Sequence, residues 1–483
     1  MAALFAIAVV VIGLIWAYRF NSALKSTPEA ARKIGHRYWA TQELRDAYEH
    51  TKKNPVDFGK HLPPKLERRY VIVGGSGLVG GDIVLQLLQR GQSPQSIRIL
   101  DFSPLNRQDM LEKASGCDFV KTNITSVESV EAAFSKPWPS SVAKSPITVF
   151  HTAALIRPQE RSILLYDRVS GVNRDGAVNV LNAAKKHGAD VLIATSSASV
   201  SIKPVNFFTW PWQSSPKNYF QICDEKDFFA PIRTHEEFFA NYAHSKAEAE
   251  RAVCAANAPS FRTGCIRPGN AIYGQKTDPV LGTLLNDGEY VSWLPQVIQN
   301  YVSSRNVSLA HLDLEAALLS TPINSPPPAC SGRPFVVTDK GPPITFWDMA
   351  YAAIVLSEKP IKLTHTEPIF IHMVAHIMEF WSLLLARFPF LTTVLGWKET
   401  SHPIHILQPA TLNVSIHSFV DDSAARKPVA EGGIGYEPCA TTLEGFCTQI
   451  LEFNQEFSGA AGAKNNGGSK IAKVAKEAKG VAA

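Results

Sequence analysis

The sequence predicts an α/β fold: a doubly wound parallel sheet with a smaller, mostly helical C-terminal substrate lobe and an N-terminal transmembrane helix. Three observations carry that expectation. Short β-branched runs alternate with helical stretches from Arg69 onward, the pattern of parallel strands joined by helical crossovers. A glycine-rich turn directly follows the first of those runs. The chain also opens with an apolar run that holds no charge.

That opening run, Ala2 to Tyr18, is 17 residues long, about 25 Å as a helix, which suits a thin bilayer such as the endoplasmic reticulum. Arg19, Lys25, Arg32, Lys33 and Arg37 follow it against only Glu29. The positive-inside rule then places the body in the cytosol behind a single-pass anchor, residues 1–20. A cleaved signal peptide would begin with a basic region, which is lacking here. The sequons at Asn123, Asn306 and Asn413 are accordingly expected to be bare.

A juxtamembrane helix and a proline-containing linker occupy 21–66. The runs RYVIV, IRILD, CDFVKTN, ITVFHTAA and DVLIATSS, with helical patterns between them, build a nucleotide-binding unit over 67–275. The prolines at 326–328 and 342–343 loosen the pattern over 276–457, which reads as the substrate lobe with interleaved sheet-edge elements. Residues 458–483 read as a disordered basic tail. The chain has 48 Lys and Arg against 43 Asp and Glu, and the tail's five lysines and one glutamate account for four of the five surplus charges. A nearly neutral body gives no footprint for nucleic acid. Seven cysteines without a CxxC pair fit a reduced, cytosol-facing protein.

Gly74, Gly77 and Gly80 stand in GxxGxxG spacing between the strand RYVIV and a helix, where the backbone must approach a pyrophosphate at a helix N-terminus. Asp101 ends the next strand, 21 residues after Gly80. An acid there bonds the ribose hydroxyls and repels a 2′-phosphate, so a Rossmann-type unit binding NAD rather than NADP is expected. Arg107, close by in sequence, pulls the other way. Tyr242 and Lys246 lie four apart on a helical pattern, and Ser197 closes the strand DVLIATSS, whose carboxyl end is where sheet ligands sit. A nearby ammonium and the nicotinamide's charge are expected to lower the tyrosine's pKa. Tyr242 then takes the proton of an alcohol, Ser197 bonds the same oxygen, and Lys246 holds the nicotinamide ribose. Asn173 would order a water or backbone group behind them.

GGSGLVG, Asp101, HTAA, VNRDGAVNVL, TSSASV, YAHSK and RPGNAIYG together resemble the extended short-chain dehydrogenases and, within them, the 3β-hydroxysteroid dehydrogenase/isomerase family, from about Tyr70 to Phe453. The chain looks most like the branch of sterol-4α-carboxylate 3-dehydrogenases. The resemblance implies Ser197, Tyr242 and Lys246 as catalytic and Gly74, Gly77 and Gly80 as the cofactor loop. It further implies NAD-dependent oxidation of the 3β-hydroxyl of a sterol or triterpenoid at the endoplasmic reticulum, with decarboxylation if the substrate carries a 4-carboxyl. A coupled isomerisation, a specialised terpenoid, a nucleotide-sugar or phenolic-ketone substrate, and a non-catalytic NAD-binding scaffold are the alternatives. A homodimer or a sterol-pathway enzyme complex would be the assembly.

Asn123 stands where many relatives carry an adenine-reading aspartate, so its bond to the base would be weaker. Between Ser197 and Tyr242 lies an insertion, 205–241, with ten aromatic residues in 37. It is expected to form a lid over a fused-ring substrate, or aromatic feet on the membrane interface. A second apolar run, 368–397, holds His372, His376 and Glu379 at helical spacing. No metal is expected there, since hydride transfer with a Tyr/Lys pair requires none; a lipid-grazing helix pair is the expectation.

Overall fold

The computed structural model describes residues 1–34, 38–210, 212–395 and 403–465. Seven strands form one sheet: β1 (Arg69–Val73), β2 (Ile97–Asp101), β3 (Asp118–Lys121), β4 (Ile147–His151), β5 (Ala189–Thr195), β6 (Arg262–Pro268) and β7 (Pro334–Val337). Their order is β7-β6-β5-β4-β1-β2-β3, and every pairing is parallel. The order reverses between β1 and β4, which opens a crevice beyond their carboxyl ends.

Both faces of the sheet are covered, and successive residues of each strand serve opposite faces. Tyr70, Ile72, Phe150 and Ile193 pack on one side with α2 (Leu78–Gln89) and α6 (Ser304–Leu318). Val71, Val73, Val149 and Leu192 face α3 (Val127–Ser135), α4 (Gly176–Lys186) and α5 (Asn241–Ala255). This accounts for the nearly unbroken apolar runs of β1 and β4, which have no polar face to show.

The C-terminal region is interleaved with the sheet and carries more strand than expected. β7 returns to the sheet edge beside β6, and small parallel ladders join Phe220–Cys223 to His417–Val420 and Glu289–Ser292 to Lys362–His365. The final helix, α8 (Thr442–Asn465), continues past the boundary expected at residue 458. The rest of the basic tail, 466–483, lies outside the described residues, as do Arg37 and residues 396–397 of the second apolar run. Asn306 and Asn413 are buried with both ends of their amides hydrogen-bonded, which leaves no room for a glycan; Asn123 is exposed.

The N-terminal helix α1 (Ala2–Leu24) outruns the 17 expected residues, and Phe20, Ala23 and Leu24 are buried in the body. A second helix, α7 (Pro368–Arg387), is likewise long and apolar enough to cross a membrane. The aromatic insertion divides: Phe207, Tyr219, Phe238 and Phe239 are buried, whereas Phe208, Trp210, Trp212 and Phe229 are exposed.

One buried ion pair joins α5 to β6. Arg267 donates from Nε and Nη2 to Glu250, at 2.8 and 2.6 Å, and from Nη1 to Asp227 in the insertion at 2.7 Å. Arg267 and Glu250 are both nearly inaccessible. Removing Glu250 takes two acceptors from the buried guanidinium and leaves it only the partly exposed Asp227 as a countercharge. Glu250→Leu is therefore expected to lower stability by about 3–5 kcal/mol, read as a lower denaturant midpoint in equilibrium unfolding.

Candidate active site

The glycine turn at the end of β1 is dictated by close approach. Gly74 has φ +85°, and a Cβ there would lie 2.5 Å from the Ala153 amide nitrogen. A Cβ on Gly80 would lie 2.3 Å from the Gly74 carbonyl oxygen, so α2 can pack this near β1 only with glycine at that position. At Gly77, the N-cap of α2, a Cβ would meet only the Gly74 oxygen, at 3.2 Å. The start of the helix is therefore open to an approaching anion, and the cradle fits a pyrophosphate.

Asp101 ends β2 with its carboxylate aimed back at this turn. Oδ2 accepts from the Ser76 amide at 3.0 Å and Oδ1 from the Ser103 amide at 2.9 Å. The acid thus holds the turn, and each oxygen keeps a further lone pair for a ribose hydroxyl. Arg107 does not compete for a 2′-phosphate. Its Nη2 donates to Asp82 at 2.6 Å and to Asp109 at 2.7 Å, and its Nη1 to the Leu78 carbonyl at 3.0 Å. The guanidinium buttresses the underside of α2. Asn123 lies just beyond β3, with Oδ1 accepting from both the amide and the hydroxyl of Thr125. Only its amide donors remain for a base edge.

Ser197, Tyr242 and Lys246 converge at the end of β5. Ser197 stands two residues past Thr195, where its Oγ caps a short helical turn by accepting from the Ser199 amide at 3.2 Å. Tyr242 and Lys246 occupy the first two turns of α5. The start of that helix is pinned by Asn241, whose amide donates to the Glu160 carbonyl at 2.8 Å and whose Nδ2 donates to the Ser162 carbonyl at 2.9 Å. The Ser197 hydroxyl stands close enough to the Tyr242 phenol to favour its ionised form. Lys246 is 5% exposed, and its Nζ donates to the Thr195 carbonyl at 2.8 Å.

The electrostatics differ from the expectation in one respect. Burial pushes the Tyr242 phenol up to about 12, and only the Ser197 hydroxyl acts to lower it. Lys246 does not bring the phenol down in the chain by itself; burial instead draws the amine down to about 8. A further positive charge beside the phenol is needed to favour the phenolate, and a bound oxidised nicotinamide carries one.

Asn173 sits in a π-helical turn, Gly171–Asp175, before α4. Its Oδ1 accepts from the Leu155 amide at 2.8 Å, and its Nδ2 donates to the Leu155 carbonyl at 3.0 Å and to Ser245 Oγ at 3.1 Å. It thereby orders the Leu155 backbone. His151, which ends β4, was not singled out from the sequence although HTAA was among the quoted motifs. It is 4% exposed with Nδ1 unpartnered, and burial, then the charge of Lys246, push it down to about 3. Thr195 was likewise missed, because its contribution is a backbone carbonyl that any residue supplies. On α7, Glu379 is engaged by Arg161 at 2.6 and 2.7 Å, while His372 packs among Phe20, Phe207 and Trp293. Among the described residues, no cluster of three or more His, Cys, Asp or Glu is disposed to hold a metal.

A model of the 3-beta hydroxysteroid dehydrogenase/isomerase family matches residues 71–365, more than half of the chain. The chain belongs to this family. It is accordingly an oxidoreductase acting on CH–OH groups, with NAD as cofactor. It is 28% identical over 288 residues to the decarboxylating sterol-4-alpha-carboxylate 3-dehydrogenase erg26 of Schizosaccharomyces pombe, covering 58% of this chain and 73% of that one. The human sterol-4-alpha-carboxylate 3-dehydrogenase is 26% identical, covering 58% and 64%. The 3beta-hydroxysteroid-dehydrogenase/decarboxylase isoform 2 of Arabidopsis thaliana is 25% identical, covering 85% and 66%. Thus about a quarter to a third of each relative lies outside the match. Among solved structures, the UDP-glucose 4-epimerase of Thermotoga maritima superposes with a TM-score of 0.52 at 16% identity, covering 80% and 99% of the two chains. The Thermus thermophilus UDP-glucose 4-epimerase in complex with NAD gives 0.50 at 18%, covering 80% and 98%. At these identities the likeness is one of fold.

Holding a charged amine in this position is costly. The fall of Lys246 from 10.5 to about 8 corresponds to about 3 kcal/mol against its charged form. A base whose folded pKa lies below its unfolded value carries the full penalty below about pH 8, and the penalty shrinks as the pH rises towards 10.5. Lys246→Met is expected to unfold at a higher temperature than the parent at pH 7, with the gap closing between pH 8 and 10.5, while turnover collapses. Calorimetry across that range checks the sign.

Proposed function

We propose that the protein oxidises the 3β-hydroxyl of a sterol or triterpenoid with NAD. The observation that carries the reading is the placing of Ser197 and Tyr242 beside a buried Lys246, at the same sheet edge as an open glycine turn. NAD, when bound, accepts the hydride from the carbinol carbon. The residues of the chain supply the rest. The Tyr242 oxygen takes the alcohol proton, and Ser197 hydrogen-bonds the substrate oxygen and sets the angle of approach. Lys246 contributes a fixed positive charge and, beyond its bond to Thr195, further N–H donors for the nicotinamide ribose. Gly74, Gly77 and Gly80 receive the pyrophosphate, Asp101 the adenosine ribose, and Asn123 the base edge.

If the substrate carries a 4α-carboxyl, oxidation at C3 places a ketone β to the acid. Carbon dioxide can then leave with the electron pair delocalised onto the ketone oxygen, without a further catalytic residue. The names of the relatives favour this substrate class. The apolar α1 and the basic residues after it favour a single-pass anchor in the endoplasmic reticulum with the body in the cytosol. All seven cysteines are unpaired, as a reducing compartment would keep them.

Membranes bearing the full chain, given NAD and a panel of 3β-hydroxysterols, are expected to form NADH with sterols and to release carbon dioxide only from 4-carboxysterols. Formation of NADH from nucleotide sugars alone would overturn the sterol reading. Tyr242→Phe is expected to lower kcat by about 10²–10⁴ while NAD still binds. Oxidation should rise with pH as the phenol ionises, so a flat profile through the alkaline range would tell against Tyr242 as the base.

A further inference from the structure

The end of α1 is joined to the substrate side of the protein at many points. Leu24 is 0% and Phe20 4% exposed. They belong to the same apolar cluster as Ala198 and Val200, which follow Ser197, and Ala243 and Ala247 on the catalytic helix. Polar attachments come from separate segments. The Leu24 carbonyl accepts from the Tyr219 hydroxyl at 2.7 Å and from Gln296 Nε2 at 2.8 Å. Asn21 Oδ1 accepts from the Ile369 amide, in the first turn of α7, at 2.9 Å, and Trp16 Nε1 donates to the Thr209 carbonyl at 3.2 Å. A flexible tether would need none of these, and together they leave no swivel between helix and body.

α7 packs beside α1 and buries only Pro368, His372, Ala375 and Met378, a narrow strip at helical spacing. Its other face presents Phe370, Met373, Ile377 and Phe380, each more than half exposed. Glu379 is engaged by Arg161, which belongs to the segment between β4 and α4. That same segment exposes Ile156 and Ile163, and through Glu160 and Ser162 it holds Asn241 next to Tyr242. Trp210 and Trp212 stack at 5.2 Å and are exposed beside Phe208, which contacts Trp16 on α1. An apolar face bordered by paired tryptophans and continuous with a helix that holds no charge from Ala2 to Tyr18 matches the boundary of a lipid leaflet.

We infer that the exposed face of α7 enters the cytosol-facing leaflet of the bilayer that α1 crosses, the two helices forming a single rigid unit with Trp210 and Trp212 at its polar boundary. A lipophilic alcohol then passes from the leaflet to Tyr242 between α7 and the 152–165 segment without crossing water. The last step rests on the sterol reading above; the rigid platform does not.

The full chain in phosphatidylcholine vesicles separates these claims. With Cys117 and Cys439 replaced by serine, a nitrobenzoxadiazole label on Ile377→Cys is expected to be quenched by lipid-borne nitroxide and spared by aqueous iodide. A label on Lys186→Cys should show the reverse. Iodide quenching of both sites would overturn the platform. Phe20→Ala with Leu24→Ala is expected to lower the thermal midpoint of the body by several degrees while α1 still resists alkaline extraction; an unchanged midpoint would mean a mere tether. Phe370→Glu and Ile377→Glu are expected to lower turnover of vesicle-held sterol about tenfold while sparing sterol delivered from cyclodextrin. Equal losses by both routes would overturn lateral entry. If the parent turns over no sterol by either route, the catalytic reading fails, and the quenching and thermal measurements still decide the platform.

Discussion

A charged amine buried at the end of β5 is the constraint around which the site is arranged. Lys246 cannot stay protonated in an apolar helix packing unless something accepts its protons, and the Thr195 carbonyl does so at 2.8 Å. That carbonyl must be aimed, and the surroundings aim it. The Thr195 hydroxyl bonds His311 Nε2 at 2.7 Å, and His311 Nδ1 bonds the Val307 carbonyl at 2.7 Å. A carbonyl can only accept, so Nδ1 carries the proton. Burial draws the imidazole down to about 4, so it is neutral and Nε2 accepts from the threonine. From the other side, Arg267 and Glu250 bind α5 to β6, which fixes the helix that carries the amine.

The same logic explains why polar side chains cluster on one edge of the sheet. Strand ends at the carboxyl side of a parallel sheet leave loops free to vary while their roots are held by the ladder. Gly74, Asp101, His151 and Ser197 follow or end four different strands there. Asn173 stitches the segment after β4 to α5 through Leu155 and Ser245. The elements that carry the glycine turn and Tyr242 are thereby one body, as the proposed reaction, sensitive to donor–acceptor distance, demands.

The apolar elements obey a second constraint. Phe20 and Leu24 are as deeply packed as residues of the central core, whereas the first fourteen residues of the same helix, Ala2 to Ile15, face outward. One helix therefore has two settings: apolar side chains of the body around its last turns, and an outward-facing apolar surface along the rest. The aromatic insertion lies where these meet, which is why half of it is buried and half exposed. The buried and the exposed aromatics of 205–241 are different residues of one segment.

What the sequence determined by itself was whatever depends on local spacing. Alternating apolar runs specify strands covered on both faces, GxxGxxG after a strand specifies a turn only glycine can make, and Tyr and Lys four apart on a helix share a face. Contacts between distant segments were decided only by tertiary structure. The roles of Thr195, His311 and the Glu250–Arg267 pair depend on residues brought together from 17 to 116 positions apart. The same holds for the phenol's pKa and the engagement of Arg107, since burial and hydrogen-bond partners are properties of packing that no residue carries alone. Nor does a charge-free run of seventeen residues disclose that the helix continues into the body and stays there. That depends on Tyr219, Gln296 and Ile369, which meet it only once the chain has folded.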